Sequence, residues 1–297
     1  WSSDVCSSDL SMLDISLFYH LLCALKDGAR LILVGDIDQL PPVGAGEPLK
    51  DLMSWGYVPI VRLKHIFRQE EGSGIVENAA LIRKGEMCVP DEAGEFRIVY
   101  AADDEDAYRI VMDLCRELNY GNEENKMLLQ VLSPMYRGVC GVDHLNESLQ
   151  EMIHGEKVPD GMKFFPGDKV MQTRNDYEKG IYNGDVGTVW TATPQKVFVH
   201  YFDKEVVYEG EERFDLRLAY AVTVHKSQGS EYETVIFILR PSQHNMLQRN
   251  LLYTGVTRAR KNTILVTAPD ALRRALAIQH TGNRYSLFLP FLNHEAL

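Results

Sequence analysis

Polar and charged side chains gather on glycine-rich turns at several places in this chain. GDIDQLPPVGAG (Gly35 to Gly46) follows the apolar run Leu31 to Val34 and brings Gly35, Asp36 and Gln39 to its end. Ligands of open α/β sheets bind beyond the carboxyl ends of strands, where loop side chains face the crevice. A purely structural Gly/Pro turn is the competing reading. AVTVHKSQGSEY (Ala221 to Tyr232) sets Thr223, His225, Lys226, Ser227, Gln228 and Glu231 around Gly229. So many hydrogen-bonding groups at one glycine suit a phosphate backbone or a nucleotide. No Ser-His-Asp arrangement for nucleophilic catalysis can be argued from this order.

Cations form a second set. LKHIFRQ places Arg68 and Gln69 after an apolar group, and YTGVTRARKNTILV clusters Arg258, Arg260 and Lys261 at a helix-to-strand boundary. A lone arginine most often makes a surface ion pair, and a basic helix end can merely complement the helix dipole. Between them lie Arg174, Asn175 and Asn183-Gly184-Asp185, with Tyr177, Tyr182 and Trp190 nearby. Small barrels bind single strands through aromatic and basic faces, although in so small a unit these rings also suit the core or rim.

The elements that must position these groups fall into two patterns. Residues 11–26 read as a helix stopped by Asp27-Gly28, Arg30 to Asp36 as a short buried strand, Leu49 to Met53 as a helix and Pro59 to Leu63 as a strand. Helices at Ile75 to Arg83, Asp106 to Leu118 and Val142 to Ile153 alternate with a strand at Met127 to Leu132 that ends at Ser133-Pro134. Such alternation builds α/β units around a mostly parallel sheet. From Phe164 the text changes to short alternating strands separated by glycine, Asn-Gly and Pro-Gln turns. That is a small antiparallel barrel of about 50 residues inserted into the α/β frame. The frame resumes after Arg213 with a strand at TVIFIL, a helix at Met246 to Val256 and a strand at NTILVTA.

The whole chain has 297 residues, 42 acidic and 31 basic, for a net charge of −11. That length suits about two domains of roughly 150 residues each. With 45% hydrophobic and 25% charged residues it is an ordinary globular composition, which excludes disordered, collagen-like and coiled-coil chains. The apolar runs are too short to span a membrane. The five cysteines show no CxxC spacing, so neither a zinc site nor a disulfide framework is indicated. A reduced, cytoplasmic protein is expected. Charge is unevenly spread: Asp91 to Glu124 holds 11 acidic and 3 basic residues, whereas Arg217 to Arg274 holds 9 basic and 3 acidic and could meet phosphates.

The first ten residues, WSSDVCSSDL, have no period and no cap-then-helix logic. SDVCSSDL resembles a translated sequencing adapter. Residues 1–10 are therefore expected to be a sequencing-adapter artefact, and the natural chain to begin upstream.

Taken in order, GDIDQLPPVG, IFRQ, LSPMYRGVCGVDHLN, NDYEKGIYNGDVGTV, TVHKSQGSEY and LLYTGVTRAR resemble the carboxyl-terminal part of RecD-like superfamily 1 DNA helicases. SPMYRG with the NGDVG barrel is more similar to the stand-alone RecD-like group than to conjugative relaxase-helicases. The resemblance implies an α/β fold of RecA-like P-loop NTPase lobes, the first partial and the second complete, with an inserted SH3-like β-barrel. The expected divisions are residues 11–60 (first lobe), 61–160 and 214–297 (second lobe) and 161–213 (barrel).

The resemblance also assigns roles. ATP, with Mg²⁺, would bind between the lobes, contacted by Gly35, Asp36, Gln39, Arg68, Gly229, Glu231 and Arg258. Gln39 would sense the γ-phosphate and the attacking water, Arg68 and Arg258 would act as arginine fingers, and Glu231 would contact the ribose. Single-stranded DNA would run along Ser133, Pro134, Asn175, Asn183, Thr223, His225 and Lys226, and translocation would be 5′ to 3′. The implied partners are single-stranded DNA and ATP, with no membrane. Two family features are missing. None of the 22 glycines is followed by lysine, so there is no Gly-Lys-Ser/Thr phosphate loop. Where the family carries Asp-Glu to hold magnesium, this chain has Ser8, Asp9 and Leu10. The expectation is a helicase by descent whose isolated polypeptide is inactive. The alternative is a non-catalytic single-stranded DNA-binding or scaffold module of a helicase-nuclease complex.

Overall fold

A computed structural model describes residues 12–63, 72–279 and 288–293. The chain opens with α1 (Ile15–Ala24), α2 (Pro48–Trp55), α3 (Gly74–Lys84), β1 (Phe96–Tyr100), α4 (Asp104–Glu117), α5 (Glu123–Leu128), β2 (Leu129–Ser133) and α6 (Val142–His154). An antiparallel unit follows: β3 (Lys169–Gln172), β4 (Val186–Ala192), β5 (Lys196–His200), β6 (Glu205–Glu209) and β7 (Leu216–Leu218). Then come β8 (Ala221–Thr223), β9 (Tyr232–Leu239), α7 (Arg249–Val256), β10 (Ala259–Thr267), α8 (Pro269–Ala277) and α9 (Phe288–Leu292).

β1, β10, β9, β2 and β8 pair in that order, every pair parallel. A parallel sheet needs both faces covered, and the period of two along each strand supplies both. Val235, Phe237, Leu239 and Leu265 turn to the layer holding α3, α7 and α8. Ile236, Ile238, Ile264 and Val266 turn to the layer holding α4 and α6. Burial of each such side chain stabilises by roughly 1.5–3 kcal/mol. Local chemistry sets the helix ends. Asp103 caps α4 by accepting from the Asp106 amide, three acidic residues follow in the first turn and Arg116 sits in the last, all complementing the dipole. Gly255 lets α7 press onto β9, since a Cβ there would meet the Phe237 ring at 2.5 Å.

The antiparallel unit is a five-stranded sheet ordered β6-β5-β4-β3-β7. Its inward positions Val170, Val189, Val197, Val199, Val206 and Tyr208 form a separate core. It extends past the Arg213 boundary expected from the sequence. A 3-10 segment at Gly210–Asp215 returns the chain so that Leu216–Leu218 pair with β3.

Several expected elements differ. Arg30 to Asp36 is not a buried strand: Ile32 and Val34 are exposed, and among the described residues no strand pairs with it. Leu31 and Leu33 still pack on Leu13 and Phe18, so one side of the run is used while the backbone ladder that defines a strand is not formed. Pro59 to Leu63 likewise makes no ladder, and Ile60, Val61 and Leu63 are exposed. The helix expected over 11–26 spans only Ile15–Ala24, because Asp14 caps it by accepting from the Leu17 amide at 2.8 Å. Met127 and Leu128 belong to α5, begun at the Asn122 cap, and not to β2. The helix expected from Met246 is split into a 3-10 segment, Pro241–Met246, and α7.

Candidate nucleotide and nucleic-acid site

The turn after Val34 docks onto α7 through bonds that fix almost every polar group of the motif. The Leu40 amide donates to Thr254 Oγ1 at 2.8 Å, and Asn250 Nδ2 donates to the Gln39 carbonyl at 3.0 Å. Gln228 Nε2 donates to the Leu40 carbonyl at 3.1 Å. Tyr253 Oη donates to Asp36 Oδ2 at 2.8 Å, while Asp36 Oδ1 accepts from the Asp38 amide at 3.0 Å. Burial, and after it the charge of Asp36, pushes the Tyr253 phenol well above its usual range, so it stays a donor. Arg83, at the end of α3, meets Asp38 at 2.6 Å. Asp36, Gln39, Pro41, Pro42, Glu47 and Lys50 line a shallow depression beside this turn.

Arg258 follows α7 and is 3% exposed. Its Nε donates to the Thr254 carbonyl at 3.2 Å, Nη1 to the Ser230 carbonyl at 3.2 Å and Nη2 to Gln39 Oε1 at 3.4 Å. A planar guanidinium spreads these bonds over three nitrogens in a rigid fork, whereas an ammonium holds its donors on one nitrogen. Ser230 is placed by the tight turn through Gly229, whose φ of +78° is the left-handed region natural to glycine. Next to it Glu231 Oε2 accepts from Arg260 Nε at 2.7 Å. The fold therefore brings Asp36, Gln39, Gly229, Glu231 and Arg258 to one neighbourhood. Gly35 is exposed beside it, and Arg68 lies outside the described residues. Among the described residues no group of three or more His, Cys, Asp or Glu could hold a metal ion.

The expected DNA residues divide into two sets. Ser133 is fully buried, donating to the Cys140 carbonyl at 2.6 Å, and Pro134 is buried beside it. Thr223 is buried too, its hydroxyl accepting from the Lys226 amide at 3.2 Å. The two hydroxyls are used inside, closing the turns after β2 and β8. Asn175 and Asn183 are exposed, and His225 and Lys226 are half-buried. Burial lowers the pKa of His225, and burial followed by the charge of Arg217 lowers that of Lys226. Lys226 Nζ donates to Asn183 Oδ1 at 2.6 Å, joining the α/β unit to the barrel. Beside this bridge runs an open groove lined by the cations Arg137, Arg174, Arg217 and Lys226, by the carboxylates Asp143, Glu211, Glu212 and Asp215, and by Tyr136, Thr173 and Phe214; Arg174 lies 3.5 Å from Asp215 and Arg217 3.8 Å from Asp143.

Sequence reasoning does not single out Tyr253, Thr254 or Arg83 as holders of the Gln39 turn, nor Tyr136 and Arg137 as groove residues. Tyr253 and Thr254 stand inside YTGVTRAR and Tyr136 and Arg137 inside SPMYRG, so a signal was present. Arg83 carries none.

Residues 9–97 match an AAA domain, 145–201 an ATP-dependent RecD-like DNA helicase SH3 domain, and 218–266 a UvrD-like helicase C-terminal domain. The chain is 36% identical over 283 residues to the ATP-dependent RecD2 DNA helicase of Deinococcus radiodurans, covering 94% of this chain and 38% of that protein. It is 32% identical over 299 residues to the RecBCD enzyme subunit RecD of Mycolicibacterium smegmatis, covering 94% of this chain and 53% of that one. It thus spans well under two thirds of either relative. Its fold resembles a Bacteroides Pif1 helicase crystallised with ADP-AlF3 and ssDNA, with a TM-score of 0.56, 19% identity, and coverage of 96% of this chain and 73% of that one.

Proposed function

Because this chain belongs to the RecD-like DNA helicases, we propose that it supplies the arginine-bearing part of an ATP-driven motor that moves 5′ to 3′ along single-stranded DNA. The observation that carries this reading is the contact of Gln39 with Arg258, residues 219 positions apart in sequence. Phosphoryl transfer is catalysed by positioning and by cations aimed at the charge that develops on the transferred group. Arg258 supplies such a cation, and Gln39 supplies an amide able to orient the attacking water. Arg68 is the second proposed finger. Arg260 holds Glu231, the proposed ribose contact, in place.

The sequence contains no Gly-Lys-Ser/Thr loop, and the described residues offer no carboxylate cluster for magnesium. Alone, the polypeptide binds single-stranded DNA through Asn175, Asn183, His225 and Lys226 without hydrolysing ATP. In an assembly it would serve as that binding module.

Fluorescence anisotropy with a single-stranded oligonucleotide tests the DNA reading. Affinity should fall steeply between about 50 and about 200 mM salt as phosphate contacts release counterions. A salt-independent affinity, or none at low salt, overturns it. Joined behind a lobe that carries Gly-Lys-Ser/Thr, the chain should confer hydrolysis stimulated by single-stranded DNA. Hydrolysis that survives both Arg68→Ala and Arg258→Ala would remove these residues as fingers.

A further inference from the structure

The barrel carries a hairpin, residues 175–183, that the nucleotide chemistry does not use. It is held rigidly from inside. Asp176 and Ile181 pair across it through 2.7 and 2.9 Å backbone bonds, and Asp176 Oδ1 also accepts from the Glu178 and Lys179 amides. Ile181 is 1% exposed and anchors the hairpin in the barrel core. Asn175 Oδ1 accepts from the Asn183 amide at 2.9 Å, and Lys204 Nζ donates to the carbonyls of Lys179 and Gly180. Outside this frame stand two rings. Tyr177 is 78% and Tyr182 50% exposed, their centroids 6.2 Å apart at an interplanar angle of 75°. Asn175 Nδ2 donates to Tyr177 Oη at 3.2 Å, which fixes the first ring further.

The stapled hairpin holds two large rings in water. They stand beside the bridge from Asn183 to Lys226, and Arg174, directly before the hairpin, lines the groove. Exposed aromatic faces bind nucleobases by stacking, without reading sequence, and each stacked base contributes about 1–3 kcal/mol. Because the hairpin is already ordered, little entropy is lost when a base docks.

We propose that Tyr177 and Tyr182 form a base-stacking platform for single-stranded DNA where the strand passes the Asn183–Lys226 bridge. This inference rests on the reading of the chain as a single-stranded DNA binder, and it assigns base contact to the hairpin and phosphate contact to the groove cations.

The test compares an intact oligonucleotide with one of equal length made abasic, using the unmodified chain, Tyr177→Ala, Tyr182→Ala and both Tyr→Phe variants. Each alanine variant should bind intact DNA roughly 5- to 150-fold more weakly with the salt slope unchanged, while the phenylalanine variants stay near the parent. On abasic DNA the parent should weaken and the alanine substitutions should cost nothing more. If the parent binds with the expected salt dependence but the alanine variants match it, the platform is wrong and the DNA reading stands. If the alanine variants lose as much on abasic DNA, the tyrosines do not stack bases and the platform is again wrong. If the parent binds no single strand at low salt, the underlying reading falls and the inference with it.

Discussion

Tyr253 donates its phenolic proton to Asp36 at 2.8 Å, tying the helix that leads to Arg258 to the turn that carries Gln39. The two members of the Gln39–Arg258 contact are thus held from both sides by a bond neither makes. Tyr253→Phe deletes the donor and leaves the ring in place. A hydrogen bond to a charged acceptor contributes about 1.5–3 kcal/mol, so urea unfolding should show a loss of that order. Asp36→Asn keeps one oxygen for the Asp38 amide and turns its N–H toward the Tyr253 hydroxyl, which can accept it, so it should cost less, and the double variant should be sub-additive. Fully additive losses would mean that the two groups are not coupled.

Arg258 should tolerate neither alanine nor lysine. Alanine abandons the part-buried Ser230 carbonyl, while the Thr254 carbonyl keeps the Thr257 hydroxyl at 3.2 Å, and an acceptor left unpaired inside the fold costs about 1–3 kcal/mol. Lysine keeps the charge but gathers its donors on one nitrogen, which cannot span the three separate partners, so its stability should lie closer to the alanine variant than to the parent. Denaturation midpoints of the three proteins decide this. A lysine variant as stable as the parent would show that the fork is not what binds these segments together.

The architecture was largely legible, because the parallel strands are apolar runs and the barrel strands alternate, two patterns that survive without any partner being known. The run at Leu31 to Val34 was misread for the same reason: its composition is that of a buried strand, but a strand also needs a neighbour's backbone, which a local pattern cannot supply. Site chemistry was legible by residue type and less so by direction. Asp36, Gln39, Glu231 and Arg258 converge, yet Ser133 and Thr223 turn their hydroxyls inward, and nothing in the motif distinguishes the two orientations. Lys169 is the extreme case, a charged residue type fully buried at the joint between barrel and sheet.

That lysine makes stability depend on pH in an unusual direction. Lys169 Nζ donates to the Leu129 carbonyl at 3.1 Å and Gln130 Oε1 at 2.9 Å, between the rings of Tyr120 and Tyr232. Burial, then the charge of Lys126, lowers its pKa to about 7. Between that value and the ordinary lysine range the unfolded chain binds a proton that the folded chain does not. Stability therefore rises with pH across this window. Lys169→Met removes the linkage. The parent's unfolding free energy should gain on that of the methionine variant from neutral to alkaline pH, by on the order of a few kcal/mol. Parallel pH profiles would show that Lys169 folds with its proton.

Asp168 stands next to it and joins the same units by acceptance alone. Fully buried, it takes bonds from Gln150 Nε2 and His154 Nε2 of α6, from the Phe165 amide and from Tyr220 Oη, the Phe165 bond at 2.7 Å and those from His154 and Tyr220 at 2.8 Å. A carboxylate has lone pairs for all these donors, whereas an amide has one oxygen and turns N–H groups toward the rest. Asp168→Asn is therefore not conservative here and should cost about 3–5 kcal/mol, as when one partner of a buried charged network is removed. The barrel keeps its own core, so the loss should fall on its attachment. Unfolding should separate into two transitions, and limited proteolysis should cut first between His154 and Phe164. A single transition shifted as a whole, with no early cleavage there, would show that Asp168 stabilises the two units jointly and does not govern how they join.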